Sequence, residues 1–204
     1  MGDHVRLLCL RHGESENVVL GASGALPGAE LTSKGRVQAA EAALRLRGEG
    51  VTRVYASDAV RARQTAEIIA GTLQVGVVLV PELVEIGLGR FEGAMDAAVR
   101  KRTAEVLRSW VVDGELGEAV GDGEDGHAVT ARVVAALTSI VAAHPGGTVA
   151  VVGHVGSLTI GLTELCGRDG PAGRVWGAPL PYAVPFPVAW DGRAWHCDAW
   201  PQNV

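Results

Sequence analysis

Residues 5–13 read Val5-Arg6-Leu7-Leu8-Cys9-Leu10-Arg11-His12-Gly13. The apolar run Val5–Leu10 has the pattern of a strand covered on both faces, and it stops at an arginine, a histidine and a glycine. The same form returns late in the chain, where Thr148–Val152 closes at Gly153-His154. Between these two runs the hydrophobic period changes repeatedly. A helical pattern follows Thr32, a plausible N-cap, with Val37, Ala40, Leu44 and Leu46 on or near one face, and Gly48 and Gly50 stop it. A short strand is expected over Arg53–Ala56. Ser57 and Asp58 then offer an N-cap for a helix over Ala59–Leu73 that turns Ala62, Ala66, Ile69 and Leu73 inward. Val75–Val80 is β-branched and reads as a strand. Met95–Val112, Ala128–Ala143 and Ser157–Cys166 have helical periodicity. Ala183–Trp190 and Arg193–Trp200 look like a hairpin across Asp191-Gly192. Strands alternating with helices mean βαβ units, so the expected class is α/β, with a mostly parallel sheet between helices on both faces.

The 204 residues are enough for one domain, expected over 1–204. A net charge of −5, from 18 basic and 23 acidic side chains, argues against a nucleic-acid surface. No run approaches the roughly 18 apolar residues of a membrane span, and the N-terminal residues lack a signal-peptide layout. Three widely spaced cysteines, Cys9, Cys166 and Cys197, suggest neither a disulfide framework nor a metal knuckle. A cytoplasmic protein is the expectation. Residues 113–126 carry Asp113, Glu115, Glu118, Asp122, Glu124 and Asp125 among glycines, the composition of a solvated loop or a substrate mouth. Residues 179–187 hold four prolines and should be extended, though poor material for a central strand.

In parallel α/β sheets the active site lies beyond the carboxyl ends of the strands. His12 and His154 both fall there, each beside a glycine that lets backbone approach a ligand. Arg61 lies in the first turn of its expected helix, where a cation opposes the macrodipole by about 0.3–1 kcal/mol unless an anion is bound. The alternative is a surface Arg paired with a carboxylate; neighbouring Arg63 reads as solvated. Glu85 sits in Leu83-Val84-Glu85-Ile86-Gly87-Leu88-Gly89. A carboxyl among apolar neighbours suits a proton donor. An outward-facing Glu in an alternating segment fits the pattern equally well.

These residues carry a resemblance. Arg11-His12-Gly13-Glu14-Ser15 resembles the RHG signature of the histidine phosphatase superfamily, in its phosphoglycerate-mutase-like branch. Leu31–Ala39 is similar to the family's LTxxGxxQA, and Tyr55–Ala66 to its SSxLxRAxQTA. Leu83–Gly93 is similar to LxExxxGxWEG, and Val151–Gly156 to VVSHGG. The resemblance implies a three-layer α-β-α sandwich. It implies that His12 takes a phosphoryl group, that Arg11, Arg61 and His154 hold the non-bridging oxygens, and that Glu85 protonates the leaving oxygen. Such chemistry rests on positioning and charge clamping and needs neither metal nor cofactor.

Ser15, Asn17 and Ser57 are further candidates for touching the phosphate; for Ser57 a helix N-cap is the competing role. The family often has Asn where this chain has Val18, with Asn17 one place earlier. Gly153 and Val155 replace its usual Ser and Gly around the second histidine. The mutases of the family tend to be longer, with tyrosines after the acid and basic residues over the site. Here the favoured reading is a phosphatase acting on a small phosphorylated metabolite. Arg90, Arg100, Lys101 and Arg102 are the residual case for a mutase. A regulatory phosphoprotein phosphatase or interaction module is the third reading. Cap-like insertions are expected around 86–127 and 170–187, with the Asn17–Glu30 loop completing the pocket roof. Trp110, Trp176 and Tyr182 are candidates to stack on a sugar or base. A homodimer is left open.

Overall fold

The computed structural model describes residues 4–167 and 179–201. Six strands form one sheet: β1 (Val5–Arg11), β2 (Val51–Ala56), β3 (Gly76–Leu79), β4 (Thr148–Gly153), β5 (Phe186–Trp190) and β6 (Trp195–His196). Their order is β3-β2-β4-β1-β5-β6. The first four positions are mutually parallel, and β5 runs antiparallel to β1 with β6 antiparallel beyond it. The tail hairpin is thus present but shorter than expected. Pro187 pairs with Leu8 of β1, and β6 reaches only Ala189 and Trp190, so the missing N–H faces no second strand.

Alternation along the inner strands serves two cores. Leu7, Cys9, Val149 and Val151 pack under α4 (Ala97–Arg108), α5 (Gly126–Ala142) and α6 (Val155–Cys166). Leu8, Leu10, Ala150 and Val152 pack under α2 (Ser33–Arg45) and α3 (Val60–Leu73). The result is the expected three-layer α-β-α sandwich. A four-residue helix, α1 (Glu16–Val19), was not legible.

Three local expectations are corrected. The buried face of α2 is Gly35, Ala39, Ala42 and Ala43, whereas Val37 and Leu44 are more than half exposed. The reason is steric: small residues on α2 meet Ala62, Ala66 and Ala70 of α3, and only small side chains let two helices approach that closely. The helix expected over Ala59–Leu73 with Ser57 or Asp58 as its cap spans Val60–Leu73, with Ala59 as a cap that makes no side-chain bond. The helix expected to reach Val112 ends at Arg108 and passes into a π-helical turn, Ser109–Asp113, which buries Trp110 and Val111.

One contact fixes the turn after β1. A Cβ on Gly13 would lie 2.4 Å from the Gly35 carbonyl oxygen, and a Cβ on Gly35 would lie 2.0 Å from that of Glu14. Backbone therefore meets backbone where β1 ends and α2 begins. Thr32 caps α2 by accepting from Gly35 N at 3.0 Å, as the sequence suggested.

Candidate active site

β1 and β4 are neighbours, with Arg11 paired to Gly153 in register. His12 and His154 therefore leave adjacent strand ends side by side, with ring centroids 5.1 Å apart. His12 Nδ1 lies 2.6 Å from the Gly13 carbonyl oxygen. A carbonyl only accepts, so Nδ1 carries the proton and Nε2 keeps its lone pair. Thr65 of α3 holds this turn by accepting from Gly13 N at 3.1 Å while donating to Arg61 O at 2.7 Å.

Arg61 is buried at the start of α3, which excludes the surface ion pair considered for it. Its Nε donates to His12 Nε2 at 3.1 Å, and Nη2 donates to His154 Nδ1 at 3.2 Å. Nη1 and Nη2 also donate to the carbonyls of Leu26 and Ala25, at 2.8 and 2.7 Å. Because Arg61 only donates, neutral His154 carries its proton on Nε2 and gives it to Ser57 Oγ, 2.9 Å away. Ser57 thus orients the second histidine, and its hydroxyl accepts from Ala59 N at 3.2 Å. Burial, then the charges of Arg11 and Arg61, hold His12 well below the ordinary imidazole range. Burial, then His12 and both arginines, does the same for His154. Both rings are neutral near pH 7. Arg63, by contrast, is exposed, 3.7 Å from Glu67.

The Arg11 guanidinium lies 3.9 Å over the Tyr182 ring and donates from Nη1 to Leu180 O at 3.2 Å. Its Nε–H is buried without a partner among the described residues, as befits a donor kept for an anion. Glu85 does not have the apolar setting its neighbours implied. Its carboxylate meets the start of α6, where Oε2 accepts from Gly156 N at 3.0 Å and Oε1 from Ser157 N at 2.9 Å. A Cβ on Gly156 would fall 2.6 Å from Ile86 Cδ1 and 2.7 Å from Glu85 Oε1, so a side chain there would displace the carboxylate.

These groups open on a cavity of about 170 Å³ lined by Arg11, His12, Arg61, Glu85 and Asn17 among others. The loop after α1 and the segment from Ile86 to Leu107 supply much of the remaining wall, as the expected roof did. Ser15 is absent from the described lining; it is fully buried and donates to Asn17 Oδ1 at 2.7 Å, so it orients Asn17. Trp110 is not a stacking platform: it is core, with its indole N–H on Glu118 O. Tyr182 is covered by Arg11. Trp176 lies outside the described residues, as does the first half of the segment 170–187.

One residue escaped the sequence reading. Arg132 of α5 donates to the carbonyls of Glu82 and Val84, both at 2.7 Å, and to that of Glu85 at 3.3 Å. It also grips both oxygens of Glu124, at 2.7 and 2.9 Å, and Glu124 accepts from Gly87 N. The acidic loop is thus a clasp on the segment that carries Glu85. The available signal was a lone charge in an otherwise apolar helix.

A mostly parallel sheet with two histidines at neighbouring strand ends, a buried Arg61, a half-buried Arg11 and a carboxylate on a helix N-terminus defines an α/β site fitted to an anion. The sequence matches the profile of the histidine phosphatase superfamily (branch 1) over residues 7–203, and the chain belongs to that family. A probable phosphoglycerate mutase GpmB of Enterobacter sp. (strain 638) is 32% identical over 155 residues, covering 74% of this chain and 69% of that protein. The bifunctional protein Rv2228c of Mycobacterium tuberculosis is 35% identical over 156 residues, which cover 76% of this chain but 42% of that protein. Among solved structures, Bacillus stearothermophilus YhfR superposes with a TM-score of 0.79 at 28% identity, over 95% of each chain. The mycobacterial glucosyl-3-phosphoglycerate phosphatase Rv2419c, solved with VO3, gives a TM-score of 0.81 at 26% identity, over 97% of this chain and 99% of that one.

Proposed function

We propose that the chain is a metal-independent phosphatase that hydrolyses a small phosphomonoester through a phosphohistidine on His12. One observation carries the reading: the His12 proton is pinned on Nδ1, so Nε2 is the nitrogen with a lone pair, which accepts from Arg61 Nε at 3.1 Å until a phosphoryl group takes that place, in the cavity that also holds Arg11 and Glu85. In the first step Nε2 attacks phosphorus, the ester P–O bond breaks, and the protonated Glu85 carboxyl gives its proton to the departing alkoxide. Oε2 accepts one backbone bond against two at Oε1, so Oε2 is the oxygen left to carry that proton. In the second step water attacks the phosphohistidine, the N–P bond breaks, and the Glu85 carboxylate takes the proton from water. Arg11 and Arg61 hold the transferring oxygens, and His154, whose N–H goes to Ser57 and whose lone pair accepts from Arg61, positions Arg61. No cofactor enters either step.

The basic residues considered for a mutase support the same choice. Arg90 lies over the Phe91 ring, Arg100 donates to the carbonyls of Gly21 and Met95, Lys101 faces Glu105, Arg102 pairs with Glu118, and none of them lines the cavity. The test is phosphate release from p-nitrophenyl phosphate, sugar phosphates, phosphoglycerates, nucleotides and a phosphohistidine peptide, in EDTA, by wild type and His12→Ala. Turnover that the variant loses by about a thousandfold or more is expected. No release from any ester by the wild type overturns the reading, and 2-/3-phosphoglycerate interconversion would then be assayed. Preference for the peptide would favour a phosphoprotein substrate.

A further inference from the structure

We infer that the wall beside the phosphate clamp is a leaving-group subsite for neutral, apolar alcohols, so that alkyl and aryl phosphates are preferred to phosphorylated acids. This rests on the phosphatase reading and specifies its substrate class. Val18, Ala22, Ile86, Leu88, Leu107 and Val155 supply aliphatic side chains to the cavity. The polar groups among them are largely committed. Thr103 donates its hydroxyl to Val99 O at 2.9 Å within its own helix. Asn17 has its Oδ1 occupied by Ser15, which leaves its amide NH2 as the neutral donor facing a ligand.

Charge gives the same answer. The cations lining the cavity among the described residues are Arg11 and Arg61, and a phosphate dianion matches both. The Glu92 carboxylate sits against Gly24 of the lining, where a Cβ would fall 2.2 Å from Glu92 Oε2. A carboxylate on the leaving group would therefore be desolvated against aliphatic carbon, near an acidic neighbour, with no further cation among the described residues to meet it. An alkyl chain in the same place exchanges water for hydrocarbon and leaves no polar group unpaired.

Three esters on one three-carbon skeleton test this: n-propyl phosphate, glycerol 3-phosphate and 3-phosphoglycerate. Their alkoxide leaving groups differ little in reactivity, so kcat/KM reads the pocket. The expected order is propyl, then glycerol, then glycerate, with about tenfold or more between the extremes. Equal or better turnover of 3-phosphoglycerate overturns the inference while leaving the phosphatase reading intact. Leu107→Arg and, separately, Val18→Lys are each expected to raise the glycerate-to-propyl ratio about tenfold or more. An unchanged ratio in both variants, with native circular dichroism, also overturns it. Failure of the wild type to release phosphate from all three esters and from p-nitrophenyl phosphate removes the reading underneath and the inference with it.

Discussion

At the scale of the residue, the two buried histidines make a prediction about stability. Burial and the neighbouring arginines hold both below the ordinary imidazole value, while the unfolded chain titrates near about 6.5. Above that pH both states carry neutral rings and the pair contributes no pH dependence. As pH falls through about 6.5 the unfolded chain binds protons that the folded chain refuses, so stability is lost. Each histidine should cost about 1 kcal/mol per pH unit over that window. Urea unfolding at about pH 7 and about pH 5.5 measures this slope, which His12→Gln should roughly halve. An unaltered slope in that variant would mean that His12 does not resist protonation. Residue identity was also the scale at which the sequence was most legible. Arg11, His12, Arg61, Glu85 and His154 were singled out from their places at strand ends, at a helix start and in an apolar segment, and the fold brings them together. The amide environment of Glu85 was not legible, because its donors come from Gly156 and Ser157, far along the chain.

At the scale of the element, the segment bearing Glu85 has little regular structure of its own and is held by the Arg132–Glu124 clasp. Arg132→Ala should let the carboxyl drift and slow n-propyl phosphate hydrolysis about 10–100-fold. For p-nitrophenyl phosphate kcat/KM, which reads only the first step, should change by less than about threefold, since nitrophenolate departs without a proton. Arg132→Lys, which cannot fork onto Glu124, should fall between. Equal losses on both esters would show that Arg132 serves folding alone. Elements were read well where bulky residues mark the core, as in β1 and β4. They were misread where small residues do, because the alanine face of α2 has weaker hydrophobicity than the Val37 and Leu44 it leaves outside. The π-helical turn at Ser109–Asp113 preserves apolar spacing while changing the hydrogen-bond pattern, so periodicity alone ran through it.

At the scale of the whole molecule, the two cores are separated by a sheet whose central strands are buried on both sides, and the proposed catalytic groups sit on its rim. Burial also holds the Cys166 and Cys197 thiols up, to about 12 and about 11, and Cys9 higher still, so all three stay protonated and unreactive. Sheet composition was readable from the alternation of periods, but strand order was not, because it depends on which edges meet in space. That order places β4, from the second half of the chain, between β2 and β1, from the first. A cut in the acidic loop at 113–125 would give one fragment with His12, Arg61 and Glu85 and another with His154. Neither could close the sheet, since the first would have a gap where β4 belongs and the second would lack both of its neighbours. Each half alone should be silent, and mixing them should restore turnover only as they reassociate. The protein therefore has the makings of a split reporter, in which phosphate release counts the reunion of two polypeptides.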